Sequence, residues 1–223
     1  MREFFRRSFQ VLVPRGIELK LRALDTLGLT GTTLVFFIGD NGFNVGQHGL
    51  LGKGNGIILG TRERRPNMFD HSTLVPFIVR WPGKVPAGQE SAAIFTSVDF
   101  MSTFANLCDF EVPKDRRIDG IDQTDLLLGK RKTGRDYFYF NNAGVRKGKW
   151  KYLKANARFH GYAVEKDRAK VEELYDLEAD LGERNNLAEK HPEKVAELMA
   201  LMSSIEGKNS GTPSSTPNGR SKK

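Results

Sequence analysis

An apolar run that stops abruptly at polar residues narrows the choice of fold more than anything else in this sequence. The run Leu34-Val35-Phe36-Phe37-Ile38 is short, continuous and rich in aromatic and β-branched side chains. Such a run is typical of a strand buried on both faces, as in a parallel sheet. Asp40-Asn41-Gly42 follows after a single glycine. Because open α/β sheets bind ligands at the carboxyl ends of their strands, these three residues are the first candidate site.

Helices and strands alternate through the first half of the chain, as a layered α/β fold requires. Gly16–Gly28 carries apolar residues at helical spacing, and Leu74–Arg80 is predicted as a second buried strand. Ser97–Phe110 is predicted as a helix with Ser97 as its N-cap. The single cysteine, Cys108, falls on that helix and is expected in the core. One cysteine excludes an internal disulfide and a metal site built from several cysteines.

The second half of the chain has a different character. A hairpin turn is predicted at Lys147-Gly148, and a final helix is predicted from Pro192 to Gly207. We therefore expect an α/β part over residues 1–130, an α+β subdomain with a small antiparallel sheet over 131–207, and a disordered tail over 208–223. The strands predicted for that sheet are Tyr137–Phe140, Val145–Leu153 and Glu173–Leu177.

The charge balance is basic, with 35 Lys and Arg against 27 Asp and Glu, which gives a net charge of +8. Basic residues cluster near Arg64, near Arg131 and around Lys151, on a strand expected to be half exposed. A nucleic-acid surface, a groove for an anionic substrate and an ordinary solvated surface all fit this pattern. The solvated surface is favoured because acids are interspersed among the bases, and the sequence contains no recognisable nucleic-acid-reading module.

Signals for a membrane or for export are missing from the sequence. No apolar run approaches the roughly 18–20 residues that a membrane-spanning helix needs, so a transmembrane protein is not expected. Residues 1–13, MREFFRRSFQVLV, contain neither the apolar core nor the small-residue cleavage site of a signal peptide.

A Gly-rich loop is predicted from Gly42 to Gly60. The densest group of polar residues starts at Asp40-Asn41-Gly42, continues through His48 and includes Lys53. Carboxylate and amide oxygens are hard ligands that suit Ca²⁺ or Mg²⁺, although two residues cannot complete a shell of about six to eight oxygens. A lysine on such a loop can place a point charge against a tetrahedral anion. From composition alone, a simple turn, a solvent-exposed lysine and a structural histidine are favoured over a metal site in this loop.

Four longer stretches resemble the sulfatase family of the alkaline-phosphatase-like superfamily. They are TTLVFFIGDNGFNVGQHGLLGKGNG, NMFDHSTLVPFIVRWPGKVPAG, SVDFMSTFANLCDFEVP and IDGIDQTDLLLGK, and two weaker matches follow in the same order at Gly144–Leu153 and Glu173–Ala188. The resemblance implies a partial alkaline-phosphatase-like sandwich around a parallel sheet. Residues 1–130 then correspond to the C-terminal part of the catalytic domain, and a C-terminal α+β subdomain with a small antiparallel sheet follows.

The resemblance also implies roles for single residues. Asp40 and Asn41 match the acid-amide pair that ligates the family's Ca²⁺, and Lys53 matches the lysine that contacts the sulfate group. His48 lies in the same substrate-facing loop and is a candidate for direct involvement. His71 occupies a position that the family often fills with another residue, and it is expected to be structural.

The chemistry implied is hydrolysis of a sulfate ester by a formylglycine at a Ca²⁺-dependent site. The C/S-x-P/A-x-R motif that yields formylglycine is absent from this sequence. We therefore expect the chain to be the C-terminal half of a sulfatase, marginally stable and without turnover by itself. A full-length form is expected in the periplasm or outside the cell, as for most of the family.

The function expected is therefore that of a sulfuric ester hydrolase acting on a sulfated sugar or an aryl sulfate. The alternative is a catalytically silent remnant that binds sulfated glycans through basic residues. A phosphatase or phosphodiesterase relative and a nucleic-acid binder are weaker alternatives. The partner expected is a sulfated small molecule or glycan, with neither nucleic acid nor membrane.

Overall fold

The structure is a computed structural model that describes residues 14–155 and 171–210. These residues form two compact units, 14–39 with 76–135 and 40–75 with 136–155 and 171–210. The domain limits expected from the sequence stay a prediction, and residues 211–223 of the expected tail lie outside the described residues. In chain order the elements are α1 Pro14–Thr26, β1 Val35–Ile38, β2 Asn44–Val45, β3 Leu50–Gly52, β4 Asn55–Ile58, β5 Arg64–Pro66, α2 Asp70–Thr73, β6 Phe77–Arg80, α3 Asp99–Leu107, α4 Thr124–Leu127, β7 Tyr137–Tyr139, β8 Gly144–Lys147, β9 Trp150–Leu153, β10 Glu173–Asp176 and α5 Pro192–Ser210.

The sheet of the first unit consists of β1 and β6. The mixed α/β class is confirmed, but these strands pair antiparallel, with Ile38 opposite Phe77. The pairing is antiparallel because the chain leaves β1 and returns to β6 at the same end of the ladder. Aromatic rings, including Phe100 of α3 at 5.6 Å from Phe36, cover the sheet. Ile38 and Ile78 stay 39% and 51% exposed, so the strands are not buried on both faces within the described residues.

Helix α3 differs from the amphipathic helix expected at this position. It begins at Asp99 rather than at Ser97, and it buries Asp99, Ser102 and Thr103 while leaving Phe104 39% exposed. Asp99 is buried because Arg135 pairs with it at 2.6 Å. Cys108 follows the end of the helix and is exposed, so the expectation of a core cysteine is wrong.

The second unit contains two antiparallel sheets of four strands each. One has the order β2-β3-β4-β5, and its first three strands lie in the segment expected to be only a Gly-rich loop. Leu50 and Ile58 are buried there, and both belong to a core that this segment shares with the C-terminal part of the unit. The other sheet, β7-β8-β9-β10, is the small antiparallel sheet predicted from the sequence. The predicted hairpin at Lys147-Gly148 joins β8 to β9, and Gly148 has a φ of 57°.

Apolar packing joins the elements of the second unit. Leu50 and Phe69 share a core with Leu153 and other residues of the C-terminal sheet. Helix α5 packs its buried stripe, which includes Leu198 and Met202, against that sheet. The helix continues through Gly207 to Ser210, past its predicted end. None of the described helices has the length and apolar character to cross a membrane.

The basic residues around strand β9, which the sequence predicts to be half exposed, differ in burial. Lys151 is fully buried, and the strand is buried along most of its length. Lys147 and Lys149 pair with Glu197 and Asp176 at 2.8 and 2.7 Å. Carboxylates therefore neutralise this group, which removes much of the case for a nucleic-acid surface there.

Candidate active site

Asp40 and Asn41 lie in a turn directly after the end of β1. The Asp40 side chain is 88% exposed, and its Oδ1 accepts the backbone N–H of Asn41 at 2.9 Å. The Asn41 amide nitrogen donates to the Gly42 carbonyl at 2.8 Å, which turns the Asn41 Oδ1 away from its own backbone. Two side-chain oxygens that could act as metal ligands therefore lie next to each other on an exposed turn.

The backbone of helix α2 contacts this turn. The Gly42 N–H donates to the Ser72 carbonyl at 2.9 Å. A Cβ atom at position 42 would lie 2.1 Å from the carbonyl oxygen of His71, so only glycine fits this approach. The predicted metal ligands are thus held against the backbone of α2.

Lys53 extends from the loop between β3 and β4 to the same turn. Its ammonium donates to Asn41 Oδ1 at 2.5 Å and lies 4.0 Å from Asp40 Oδ2. The Lys53 side chain is 52% exposed. The structure thus brings together three of the four residues predicted from the sequence.

An open pocket of about 340 Å³ adjoins these residues. Its lining consists of Asn41, Lys53, Gly54, Asn67, Met68, Ser72 and Thr73. A small anion or a sugar substituent would therefore meet both a lysine ammonium and an amide at the wall.

His48, the fourth predicted residue, does not line this pocket. Its ring stacks on Phe69 with centroids 3.8 Å apart, and the His71 ring lies 5.7 Å away. Burial, together with the nearby charges of His71, Lys151 and Arg65, lowers the pKa of His48 to about 4. The role predicted for His48 stays a prediction, and its ring contributes to the packing beneath the loop.

The expected structural role of His71 is consistent with its surroundings. Its Nδ1 is buried without a hydrogen-bond partner among the described residues. Burial lowers its pKa, which keeps the imidazole neutral near pH 7.

His48, His71 and Glu183 bring three potential metal-ligand atoms within 4.8 Å of one another. The Glu183 carboxylate is already engaged, because Lys151 Nζ lies 2.7 Å from it and it accepts the Asp70 backbone N–H at 2.6 Å. A divalent cation here would lie beside the buried Lys151 ammonium. Glu183 is therefore better described as part of a buried ion-pair network with Lys151 and Asp70, which fixes α2.

Asp40 and Asn41 fit a hard cation better. Both offer oxygen atoms, and both already face a positive charge in the form of the Lys53 ammonium. Two side chains are fewer than the six to eight oxygens that Ca²⁺ takes, so any ion held here needs further ligands.

Two features of the site carry no signal in the sequence. Asn67 donates to the loop that carries Lys53, and although it begins the stretch NMFDHSTLVPFIVRWPGKVPAG, the resemblance assigned it no role. Lys151 and Glu183 meet Asp70, 81 residues away from Lys151 along the chain. Only the unusual position of a lysine in an apolar strand run, Trp150 to Leu153, could have drawn attention to Lys151.

Comparisons with known proteins agree on one family. Residues 62–208 match the family described as N-sulphoglucosamine sulphohydrolase, C-terminal. The chain is 34% identical over 197 residues to N-acetylgalactosamine-6-O-sulfatase of Bacteroides thetaiotaomicron, covering 83% of this chain and 38% of that protein. It is 38% identical over 122 residues to the steryl-sulfatase of Rattus norvegicus, covering 54% of this chain and 21% of that protein.

Solved structures agree with this result. One, from work on glycosaminoglycan metabolism by Bacteroides thetaiotaomicron, has a TM-score of 0.61 and 30% identity and covers 84% of this chain and 41% of its own. Another, in complex with its substrate D-glucosamine-2-N,6-O-disulfate, has a TM-score of 0.65 and 24% identity, covers 90% of this chain and 39% of its own, and shows the fold alone. This chain therefore spans less than half the length of each of these relatives.

Proposed function

This chain belongs to the sulfatase family of the alkaline-phosphatase-like superfamily, and from that premise we propose that it supplies two cation ligands and the sulfate-binding lysine of a sulfate-ester hydrolase. The observation that carries the proposal is the convergence of Asp40, Asn41 and Lys53 on one turn beside a pocket of about 340 Å³. Their chemistry, two oxygen donors and one cation, is what a site for a sulfate group and a divalent ion requires.

Asp40 and Asn41 are the residues that would hold Ca²⁺ in this proposal. Their oxygens are exposed or half-exposed and lie next to each other on the turn fixed by Gly42. A bound calcium ion supplies positive charge that neutralises the oxygens of the sulfate group.

Lys53 acts on the sulfate group itself. Its ammonium contacts Asn41 Oδ1, which is one of the oxygens proposed for the cation. If Asn41 Oδ1 held a cation, the Lys53 ammonium would be repelled from it and would be placed to donate to a sulfate oxygen in the pocket. Charge on the sulfate oxygens and the leaving oxygen grows during hydrolysis, and a positioned ammonium stabilises it.

We propose no nucleophile among the residues of this chain. The sequence contains no C/S-x-P/A-x-R motif, so no residue here matches the family's source of formylglycine. We expect no turnover of an aryl sulfate by the chain alone, and Ca²⁺-dependent hydrolysis by it would contradict this.

The substrate class is proposed from the relatives. N-acetylgalactosamine-6-O-sulfatase and N-acetylglucosamine-6-O-sulfatase, both from Bacteroides thetaiotaomicron, are relatives that match most of this chain. A sulfated amino sugar is therefore the first substrate to test, and a steryl sulfate is the second. Glycan binding without turnover has less support, because carboxylates neutralise the lysines around β9.

Calorimetric titration of the chain with Ca²⁺ and with inorganic sulfate tests the proposal. We expect Asp40→Asn to weaken Ca²⁺ binding and Lys53→Met to weaken sulfate binding, each by about tenfold or more, since each removes a direct charge contact of roughly 1.5–3 kcal/mol. The matched controls are Asp125→Asn and Lys130→Met, whose side chains are 62% and 66% exposed and remove the same charges elsewhere. Equal losses in the control variants, or none in the site variants, would overturn the assignment.

A further inference from the structure

The segment that carries Lys53 has little rigidity of its own. Gly52 and Gly54 flank the lysine with φ values of 108° and 61°, and Lys53 itself is half exposed. Glycine at two successive flanking positions leaves an isolated segment many accessible conformations. Something outside the segment must therefore hold the lysine where it meets Asn41.

Asn67 provides that support from both sides of the lysine. Its side-chain Nδ2 donates to the Gly52 carbonyl at 2.9 Å, and its backbone N–H donates to the Gly54 carbonyl at 2.7 Å. The two carbonyl groups bracket Lys53 in the sequence. One residue thus holds a backbone carbonyl group on each side of the lysine.

A second contact sets the orientation of the Asn67 amide. Nδ2 also donates to Asn44 Oδ1 at 3.2 Å, so both of its protons are used and the nitrogen is distinguished from the oxygen. Asn44 in turn donates from its own Nδ2 to the Gln47 carbonyl at 3.0 Å. Both asparagines are fully buried, and hydrogen bonds shielded from water resist competition by solvent.

The fit around Asn67 is close. A Cβ at Gly56 would lie 3.2 Å from Asn67 Nδ2, so the returning strand β4 passes directly over the amide. Asn67 Oδ1 is buried without a hydrogen-bond partner among the described residues, although Asn67 lines the pocket. The side chain thus commits its donor to the Lys53 loop and leaves its acceptor unused.

Asn67 is itself held firmly. It follows β5, where Arg65 forms a two-pronged hydrogen-bonded pair with Glu173 at 3.2 and 3.1 Å. Two residues later, Phe69 is only 2% exposed in the core. The support is therefore anchored by a largely buried ion pair and by the core, whereas the loop that it holds contains two glycines.

We propose that Asn67 is a positioning residue that holds Lys53 at the pocket through the carbonyl groups of Gly52 and Gly54, and that it thereby sets the affinity of the site for a sulfate group. This inference rests on the proposed function for its sulfate affinity. Its structural part, the ordering of residues 52–54, stands independently.

The first measurement is amide hydrogen exchange of the full chain. In the wild type, we expect the Asn67 N–H to be protected, because it is bonded to Gly54. In Asn67→Ala, we expect faster exchange at the amides of residues 52–56 and little change elsewhere. An unprotected Asn67 N–H in the wild type, or unchanged exchange at residues 52–56 in the variant, overturns the inference, and the first of these needs no variant to fold.

The second measurement is a double-mutant cycle on inorganic sulfate binding. Losing the Nδ2 donor should weaken sulfate binding about tenfold in Asn67→Ala, since one buried donor contributes roughly 1–1.5 kcal/mol. In a Lys53→Met background the same substitution should change binding less than twofold. An equal loss in both backgrounds overturns the inference, because Asn67 then acts without Lys53.

Asn67→Asp and Asn186→Ala complete the design. Asn67→Asp keeps the shape and the oxygen but removes the donor, so wild-type sulfate binding by this variant overturns the inference. Asn186, whose amide braces β10 through Leu174 and Glu172, is the matched control. Its removal should leave sulfate binding unchanged. If the wild type binds no sulfate, the proposed function fails, while the exchange experiment still decides the role of Asn67.

Discussion

At the residue scale, Lys53 has the clearest chemical task. Its ammonium is half exposed, it faces two oxygen donors, and it borders the pocket. Among the described lysines, only Lys53 lines this pocket. The residue type matters because a compact cation on a flexible stem can leave Asn41 for a sulfate oxygen without moving the backbone.

We expect Lys53→Ala to lower kcat/KM by about 10²–10³ in an active enzyme that contains this chain, because one donor to the developing charge is lost. Steady-state hydrolysis of a sulfated amino sugar measures this change. Lys130→Ala, at another exposed lysine, should leave the rate unchanged. A Lys53 variant within threefold of the wild type would rule out the assignment.

His48 shows how position decides the behaviour of one residue. Its φ of 57° is a left-handed conformation, and its ring is stacked on Phe69. Burial lowers the pKa of His48 from 6.5 to about 4. Between these values the unfolded chain binds a proton that the folded chain does not bind. The free energy of unfolding therefore falls as the pH is lowered from about 6.5 to about 4.

His48→Asn should reduce this loss of stability, because asparagine tolerates the left-handed backbone and does not titrate. Urea unfolding of both proteins at pH 8 and at pH 4 separates two effects. The difference between their free energies of unfolding at pH 8 reports the packing lost with the imidazole. The change in that difference between pH 8 and pH 4 reports the protonation of His48. Some slope should remain, since burial also lowers the pKa of His71. An equal decline in both proteins would show that protonation of His48 is not its cause.

At the scale of elements, the short helix α2 acts as a support for the site turn. Gly42 donates to its backbone, and the His71 carbonyl leaves no room for a side chain at position 42. The predicted metal ligands therefore depend on an element that contributes no ligand of its own. This dependence was not visible in the sequence, where Asp40-Asn41-Gly42 reads as an ordinary turn.

Gly42→Ala should destabilise the chain by about 1–3 kcal/mol, as overpacking against backbone does. It should also weaken Ca²⁺ binding. Gly207→Ala is the control, because a Cβ there meets nothing within 4 Å and alanine favours the helix. Denaturant unfolding measures the stability, and calorimetry measures Ca²⁺ binding. A Gly42 variant as stable as the control would contradict the idea that α2 holds the site turn.

At the scale of the whole molecule, a buried ion-pair network ties distant parts of the second unit together. Lys151 of β9 lies 2.7 Å from both Asp70 and Glu183, and neither Lys151 nor Glu183 has exposed side-chain surface. Burial raises the pKa of Glu183, and the Lys151 ammonium opposes that rise. The C-terminal sheet therefore holds α2, and through α2 it holds the site turn.

Lys151→Met should destabilise the chain by about 3–5 kcal/mol, because it leaves a buried carboxylate without its partner. Lys149→Met is the matched control: the Lys149–Asp176 distance is also 2.7 Å, but Lys149 is 39% exposed. We expect a much smaller effect there, because solvent screens this pair. If the two substitutions lowered the free energy of unfolding in urea equally, burial would not determine how much these ion pairs stabilise the fold.

Local chemistry in the sequence determined several parts of this protein. The resemblance to the sulfatase family, and not spacing, singles out Asp40, Asn41 and Lys53, whose roles stay a prediction. The hairpin at Gly148, the small antiparallel sheet and the apolar stripe of α5 follow from residue type and spacing. These features depend on neighbours within a few residues, or on motifs whose chemistry is fixed by side-chain type.

Only the tertiary structure decided the rest. The antiparallel pairing of β1 with β6, the burial of Lys151, the exposure of Cys108 and the contacts of Asn67 depend on segments far apart along the chain. A lysine looks the same in sequence whether it lies in water or against Glu183. The physical reason is that burial and pairing are properties of packing, and packing is set by which distant elements meet.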